Sequence, residues 1–246
     1  TSWDEYTAPF YEALERAVAR GVTVRLLVDH HGMRTIPGHK DFRRRLNAMG
    51  IEWHEMLPFA PLRGQIRRPD LRNHRKILVI DGREAYIGSH NLVAPDYDTP
   101  SYAKAGLLYD DTSVSVTGPV VAQIQAVFAV DWYYACKQVL TRDVLTPPAA
   151  EVAAEREGEQ ASAMQIIPSG PAFKGEPNLR VFIHMISSAR THVSITSPYF
   201  IPDEALMTAL TNAALSGVEV ELFVSEQFDQ FLVGHAQRSY YGPLLK

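Results

Sequence analysis

Asn73-His74-Arg75-Lys76-Ile77-Leu78-Val79-Ile80-Asp81-Gly82-Arg83-Glu84-Ala85-Tyr86-Ile87-Gly88-Ser89-His90-Asn91 is the stretch that decides the fold. Ile77 to Ile80 is a short apolar run, which predicts a fully buried strand. Asp81-Gly82 follows, and both residue types tolerate the positive φ that a tight hairpin turn demands. Ala85 to Ile87 then returns as the partner strand. Side chains two apart on a strand share a face, so His74 and Lys76 are expected to project together. Ser89 and Asn91 have the same spacing and project together if the extended conformation continues.

The residue types in this pattern suit attack on a phosphodiester, whose negative oxygens repel nucleophiles. An imidazole at His74 can attack phosphorus directly, dividing one difficult displacement into two easier ones through a phosphohistidine. Lys76 supplies a compact positive charge for the phosphoryl oxygens, and Ser89 and Asn91 supply neutral donors. Gly88 is counted with Ser89 and Asn91 among the expected phosphate-binding residues. Asp81 completes the catalytic motif, holding the turn through hydrogen bonds rather than moving a proton.

Outward from this stretch, the chain reads as a doubled α/β unit. Phe10, Leu14, Ala17 and Val18 recur at helical spacing, Gly21 stops the helix, and Val22 to Val28 reads as a strand. Ala-Leu-x-x-Ala-x-x-x-Gly-Val-x-Val-x-Leu-x-Val runs from Ala13 to Val28 and again from Ala209 to Val224, with Gly217 standing 196 residues after Gly21. Eight of the sixteen positions are identical, which points to an internal repeat. Val121, Ile124, Val127, Phe128 and Trp132 predict a long packed helix within residues 118–137. Leu179, Phe182, Ile183 and Ile186 predict another helix, and Thr191 to Thr196 a strand, so the second lobe opens helix, strand, helix, strand. Between the copies, residues 141–163 are rich in Ala, Glu and Pro, the composition of an exposed linker. The expected domains are therefore 1–140, a first lobe with the motif; 141–163, a linker; and 164–246, the start of a second lobe. On the repeat offset the first lobe lacks an opening helix and strand and the second lacks its own motif, so the sequence reads as part of a longer enzyme.

Composition narrows the partners. The 246 residues hold 24 basic and 28 acidic side chains for a net charge of −4, which argues against binding nucleic acid through overall charge. A lone cysteine, Cys136, forms no internal disulfide, and a reducing cytoplasmic setting fits. The longest apolar stretches fall short of the roughly 18 to 20 residues that span a bilayer. Asp29-His30-His31 could suggest a metal site, but three adjacent residues on a strand cannot all face one ion, so no metal is expected.

The motif His74-x-Lys76-x4-Asp81-x6-Gly88-Ser89-x-Asn91 resembles the signature of the phospholipase D superfamily at every specified position. The resemblance implies a phospholipase D-like fold of α/β class, with a mixed β-sheet flanked by helices in each of two related lobes, the second incomplete here. It implies His74 as nucleophile, Lys76, Ser89 and Asn91 as phosphate holders, Asp81 as chiefly structural, and chemistry without metal or cofactor. A second motif, which protonates the leaving group, is expected in a C-terminal part beyond Lys246, and without it these residues alone are expected to be poorly active. Gly118-Pro119, Asp131-Trp132-Tyr133, Pro168-Ser169-Gly170-Pro171, the run Thr196 to Asp203, and Arg238-Ser239-Tyr240-Tyr241 extend the likeness toward bacterial cardiolipin synthases. Those enzymes usually carry Gly-Gly where this chain has Gly88-Ser89.

That likeness implies an anionic phospholipid substrate at a membrane surface, with the lobes on the cytoplasmic side of a bacterial membrane and an anchor ahead of Thr1. Apolar loops at Leu57–Leu62 and Tyr199–Pro202 suit an acyl-chain entry, and Arg63, Arg67, Arg68, Arg72, Arg75 and Lys76, opposed only by Asp70, suit anionic headgroups. The competing readings are a phospholipase D or nuclease-type phosphodiesterase of the same superfamily, and a non-catalytic lipid-binding domain. No nucleic-acid partner is expected, since no basic stripe interleaves with stacking aromatics.

Overall fold

The structure is a computed structural model that describes residues 3–34, 38–58, 72–97, 102, 104, 106, 108–141, 162–170, 172–226 and 231–245. Nearly all of the expected linker, the end of the Leu57–Leu62 loop, and Arg63, Arg67, Arg68 and Asp70 lie outside the described residues. The chain divides into two compact units, Thr1–Ile166 and Ile167–Lys246.

In the first unit, α1 (Ala8–Ala19) follows a turn that Asp4 and Thr7 close between them: the Thr7 amide donates to Asp4 Oδ1 at 2.9 Å and the Asp4 amide to Thr7 Oγ1 at 3.0 Å. It ends at Gly21, whose φ of 87° only glycine adopts without strain. The Val22 amide reaches back to the Ala17 carbonyl at 3.1 Å, the six-to-one bond of a helix stop. Strand β1 (Arg25–Asp29) therefore starts later than the expected Val22, because Val22 still serves the helix end. Two helices, α2 (His30–Arg34) and α3 (His39–Ala48), lead to β2 (Glu52–Met56), which pairs parallel with β1 from Arg25↔Glu52 to Asp29↔Met56. Tyr11, Val28, Met33, Phe42, Leu46, Met49 and Ile51 form the core beneath this pair. Trp3 stacks on Tyr11 at 4.6 Å.

The motif strand is β3 (Ile77–Ile80), followed by β4 (Glu84–Gly88) and β5 (Ser113–Thr117) in an antiparallel sheet of order β3-β4-β5. The hairpin falls where expected: Asp81 and Gly82 both have positive φ, 53° and 67°, and the Arg83 amide donates to the Ile80 carbonyl at 3.0 Å. The long helix α4 (Val120–Cys136) lies against β2, β3, β4 and β5. It buries Val120, Val121 and Ile124 on Ala85 and Val116, with Ile77, Val79 and Ile87 around them. Burying side chains of this size contributes roughly 1.5–3 kcal/mol each. One expectation is corrected here: β3 is not fully buried, and Ile80 remains 43% exposed. Ile77, Leu78 and Val79 are half-buried, with Ile77 and Val79 against the core, and Ile80 ends the strand at the exposed hairpin turn. The parallel and antiparallel pairings of a mixed fold are both present, divided between two small sheets with helices against them.

The second unit runs α5 (Pro177–Ser188), β6 (His192–Ser197), α6 (Glu204–Leu215), β7 (Glu219–Val224), α7 (Phe231–Ser239) and α8 (Tyr241–Leu244). Asp203 caps α6 by accepting from the Leu206 amide at 2.8 Å. β6 and β7 pair in parallel over a core of Ile186, Phe200, Ala209, Leu210, Ala213 and Val218. The internal repeat is visible in the backbone. Both ends of α6 stand 196 residues after the ends of α1 (Ala8 to Glu204, Ala19 to Leu215). Gly217 has φ 85°, and the Val218 amide reaches the Ala213 carbonyl at 3.1 Å, the same helix stop as at Gly21.

Candidate active site

His74 and Lys76 do not lie on the strand, as the spacing had suggested. Residues 72–76 form an irregular segment leading into β3, and long-range hydrogen bonds rather than sheet pairing fix its course. Asp29, at the end of β1, accepts from the Asn73 amide through Oδ2 at 3.1 Å and from Arg72 Nε through Oδ1 at 3.1 Å. The same Oδ1 accepts from the Gly32 amide at 2.7 Å. From the other side, buried Asp131 of α4 accepts from Asn73 Nδ2 at 3.0 Å and, with both oxygens, from Arg75 Nη1 at 2.9 and 2.8 Å. The residues on either side of His74 are thus tied to two carboxylates from distant parts of the chain.

His74 itself is exposed enough to be approached, and its pKa lies below the ordinary imidazole value of 6.5. Desolvation is the largest cause, followed by the positive charges of Lys76 and Arg72, with Asp29 acting in the opposite direction. At neutral pH the ring is therefore uncharged, the form that carries a nucleophilic lone pair. Lys76 donates to the His74 carbonyl at 2.8 Å. Burial lowers its pKa from 10.5, opposed by Asp111 and Asp29.

Ile77 pairs with Ile87, so the segment carrying His74 and Lys76 and the segment Gly88 to Asn91 leave neighbouring ends of the hairpin. Gly88 packs tightly: a Cβ built there would stand 2.3 Å from the Thr112 carbonyl oxygen and 2.6 Å from Ser113 Cα. Thr112 and Ser89 clasp each other, Ser89 N to Thr112 O at 2.9 Å and Thr112 N to Ser89 Oγ at 3.0 Å. Asn91 Nδ2 donates to Tyr97 Oη at 2.6 Å. Asp81 is exposed at the turn with a left-handed φ of 53°, and among the described residues its carboxylate accepts no hydrogen bond.

The Asp29-His30-His31 triplet is split among different partners: Asp29 faces the motif, while buried His30 contacts Glu55, whose other oxygen pairs with Arg43. In the Tyr199–Pro202 loop, Tyr199 and Ile201 are exposed while Phe200 is buried. The Phe200 amide is held by Gln237 Oε1 at 2.7 Å. The sequence reading missed Asp29, Asp131, Thr112 and Tyr97 as supports of the motif. Asp131 carried one signal, being the sole charged residue in the mostly apolar α4.

The fold and the intact motif define a PLD-like domain. Residues 6–132 and 182–246 match the family described as "Cardiolipin synthase, PLD-like domain", and the chain belongs to that family. Cardiolipin synthase of Geobacillus kaustophilus (strain HTA426) is 35% identical over 246 residues, covering 99% of this chain and 46% of the relative. Cardiolipin synthase A of Proteus mirabilis (strain HI4320) is 36% identical over 240 residues, covering 96% and 47%. The chain spans about half the length of the curated relatives it matches. Phosphatidylserine synthase of Haemophilus influenzae Rd KW20 shares the fold, with a TM-score of 0.59 at 14% identity over 98% of this chain and 60% of that one. Among the described residues no helix is long and apolar enough to cross a membrane.

Proposed function

We propose that this chain carries the nucleophilic half of a phosphatidyl-transfer site that makes cardiolipin from phosphatidylglycerol. His74 attacks the phosphorus of one anionic phospholipid, and the bond from phosphorus to the leaving glycerol oxygen breaks. The resulting phosphatidyl-histidine is then attacked by the hydroxyl of a second phosphatidylglycerol, which returns the imidazole to its starting state. Lys76, Ser89 and Asn91 hold the phosphoryl oxygens, and Gly88 and the Asp81 turn set the loop that presents them. The proton for the leaving alcohol comes from a second His-x-Lys motif in a C-terminal part of a longer chain, a reading that the relatives' doubled length supports. The enzyme works at the membrane surface, with both lobes on the cytoplasmic side.

The observation that carries this reading is the exposed His74 held between Asn73 and Arg75, with Lys76 and Arg72 close enough to push its pKa down, within a chain of the cardiolipin synthase family. A group that only bound anionic lipid would gain from a charged imidazole, whereas a nucleophile needs the neutral ring.

The test supplies the intact gene product with phosphatidylglycerol in detergent and a metal chelator, and follows lipids by mass spectrometry for wild type and His74→Ala. Cardiolipin from the wild type alone is the expected outcome. Phosphatidic acid instead would make the protein a hydrolytic phospholipase D. No lipid change would overturn the lipid reading and move the search to nucleic-acid diesters.

A further inference from the structure

Behind Asn91 stands a group that the motif does not include. Tyr97 takes one of the two amide protons of Asn91 at a short 2.6 Å. Its own backbone is left-handed, φ 55°, a conformation unfavourable for a residue with a bulky side chain. The Tyr97 amide donates to the Ala94 carbonyl at 2.8 Å, which closes the turn that holds it. Its ring lies against Tyr109 at 4.5 Å, and Tyr109 lies 6.2 Å from Tyr102. The Tyr109 amide bonds the Pro95 carbonyl at 3.0 Å, fastening the 94–97 turn to the segment that enters β5. Thr112, three residues further along that segment, clasps Ser89. One length of chain, 109–112, therefore backs both phosphate-holding residues: Thr112 directly at Ser89, and Tyr109 through the Tyr97 ring at Asn91.

We propose that Tyr97 is a positioning residue for phosphate recognition, acting through Asn91. With one N–H committed to the tyrosine oxygen, the plane of the carboxamide is fixed and a single N–H remains for a phosphoryl oxygen. Without that bond the amide rotates about its terminal torsion, which is broad and soft in asparagine. The ordering then has to be supplied on binding, and substrate affinity falls. The strained backbone at Tyr97 is explained by the same need, because the turn must deliver the hydroxyl to Asn91.

This inference rests on the phosphodiester reading of the site, and the test separates the two. Wild type, Tyr97→Phe, Asn91→Ala and the double variant of the intact protein are assayed on phosphatidylglycerol micelles and on bis(4-nitrophenyl) phosphate, a soluble diester. Inorganic phosphate affinity is measured by calorimetry, which needs no turnover. Tyr97→Phe keeps the ring against Tyr109 and removes only the hydroxyl. It is expected to raise KM and weaken phosphate binding roughly three- to tenfold, the loss of one hydrogen bond, with kcat changed less than about twofold. In the Asn91→Ala background the same change is expected to have no effect, since its target is gone. A silent Tyr97→Phe, or an equal effect in both backgrounds, would overturn the assignment and leave the tyrosine a packing residue. Turnover of the soluble diester without the lipid would sink the lipid reading alone while the cycle still decided Tyr97. Failure of the wild type on both substrates and on phosphate would overturn both.

Discussion

Arg75 and Asp131, 56 residues apart in sequence, meet with one guanidinium nitrogen between both carboxylate oxygens at 2.9 and 2.8 Å, and the Asp131 side chain is only 7% exposed. The same carboxylate holds Asn73, so the helix that closes the first sheet also grips the motif on both sides of His74. Asp131→Ala leaves Arg75 and Asn73 without this acceptor. The expected cost is about 3 kcal/mol, read as a lower urea midpoint, with a larger proportional loss of turnover as His74 is released. Asp131→Asn, which keeps the volume, is expected to fall between. Unchanged turnover in a folded Asp131→Ala protein would show that His74 is positioned by other contacts.

Gly88→Ala is expected to damage both stability and activity. The new methyl would sit 2.3 Å from the Thr112 carbonyl, a backbone atom that cannot rotate away. Separation of β4 from the Thr112 segment would cost roughly 1–3 kcal/mol and pull Ser89 from its partner. Circular dichroism melts and diester turnover measure the two effects. A variant as stable and active as wild type would show that the two segments part without penalty.

Asp81 tests the division between backbone and chemical roles. Its left-handed φ of 53° suits Asn and Gly but not a β-branched residue. Asp81→Asn should keep stability and most turnover, while Asp81→Val should lose about 1–2 kcal/mol. If Asp81→Asn folds normally yet turns over no substrate, the carboxylate takes part in the chemistry and the backbone account is wrong.

The electrostatics of His74 can be read without substrate. Its imidazole should titrate below 6.5 by NMR, chiefly because it is desolvated and secondarily because Lys76 and Arg72 repel a proton. Lys76→Gln removes one repelling charge, so the pKa should rise, yet stay below 6.5 because desolvation remains. The acid limb of kcat/KM reports the same group, since activity needs the neutral ring and is lost as pH falls through its pKa. In any Lys76→Gln activity that persists, that limb should move to higher pH. A downward or absent shift would mean that Lys76 does not face the ring.

The sequence carried the hairpin and the repeat because both depend on local chemistry. Asp81-Gly82 can form its turn almost wherever it is placed between apolar strands, and Gly21 and Gly217 end their helices by the same backbone bond. The residue types and spacing of His74, Lys76, Ser89 and Asn91 were legible for the same reason. Their setting was not. Alternation placed His74 and Lys76 on a strand, but the Asn73 amide and side chain are taken by Asp29 and Asp131, so pairing begins only at Ile77.

What the sequence determined by itself is the motif, its turn, and the twofold helix-strand plan, each written in residues within a few positions of one another. Only the tertiary structure decided what holds the motif in place. Asp29, Thr112 and Tyr97 are ordinary residues in their own neighbourhoods, and Asp131 stands out only as the sole charge in its helix. The roles of Asp29, Asp131 and Thr112 come from hydrogen bonds closed between distant parts of the chain, where removing water makes a buried carboxylate such as Asp131 depend on its cationic and amide partners, while Tyr97 depends on its turn and on Tyr109.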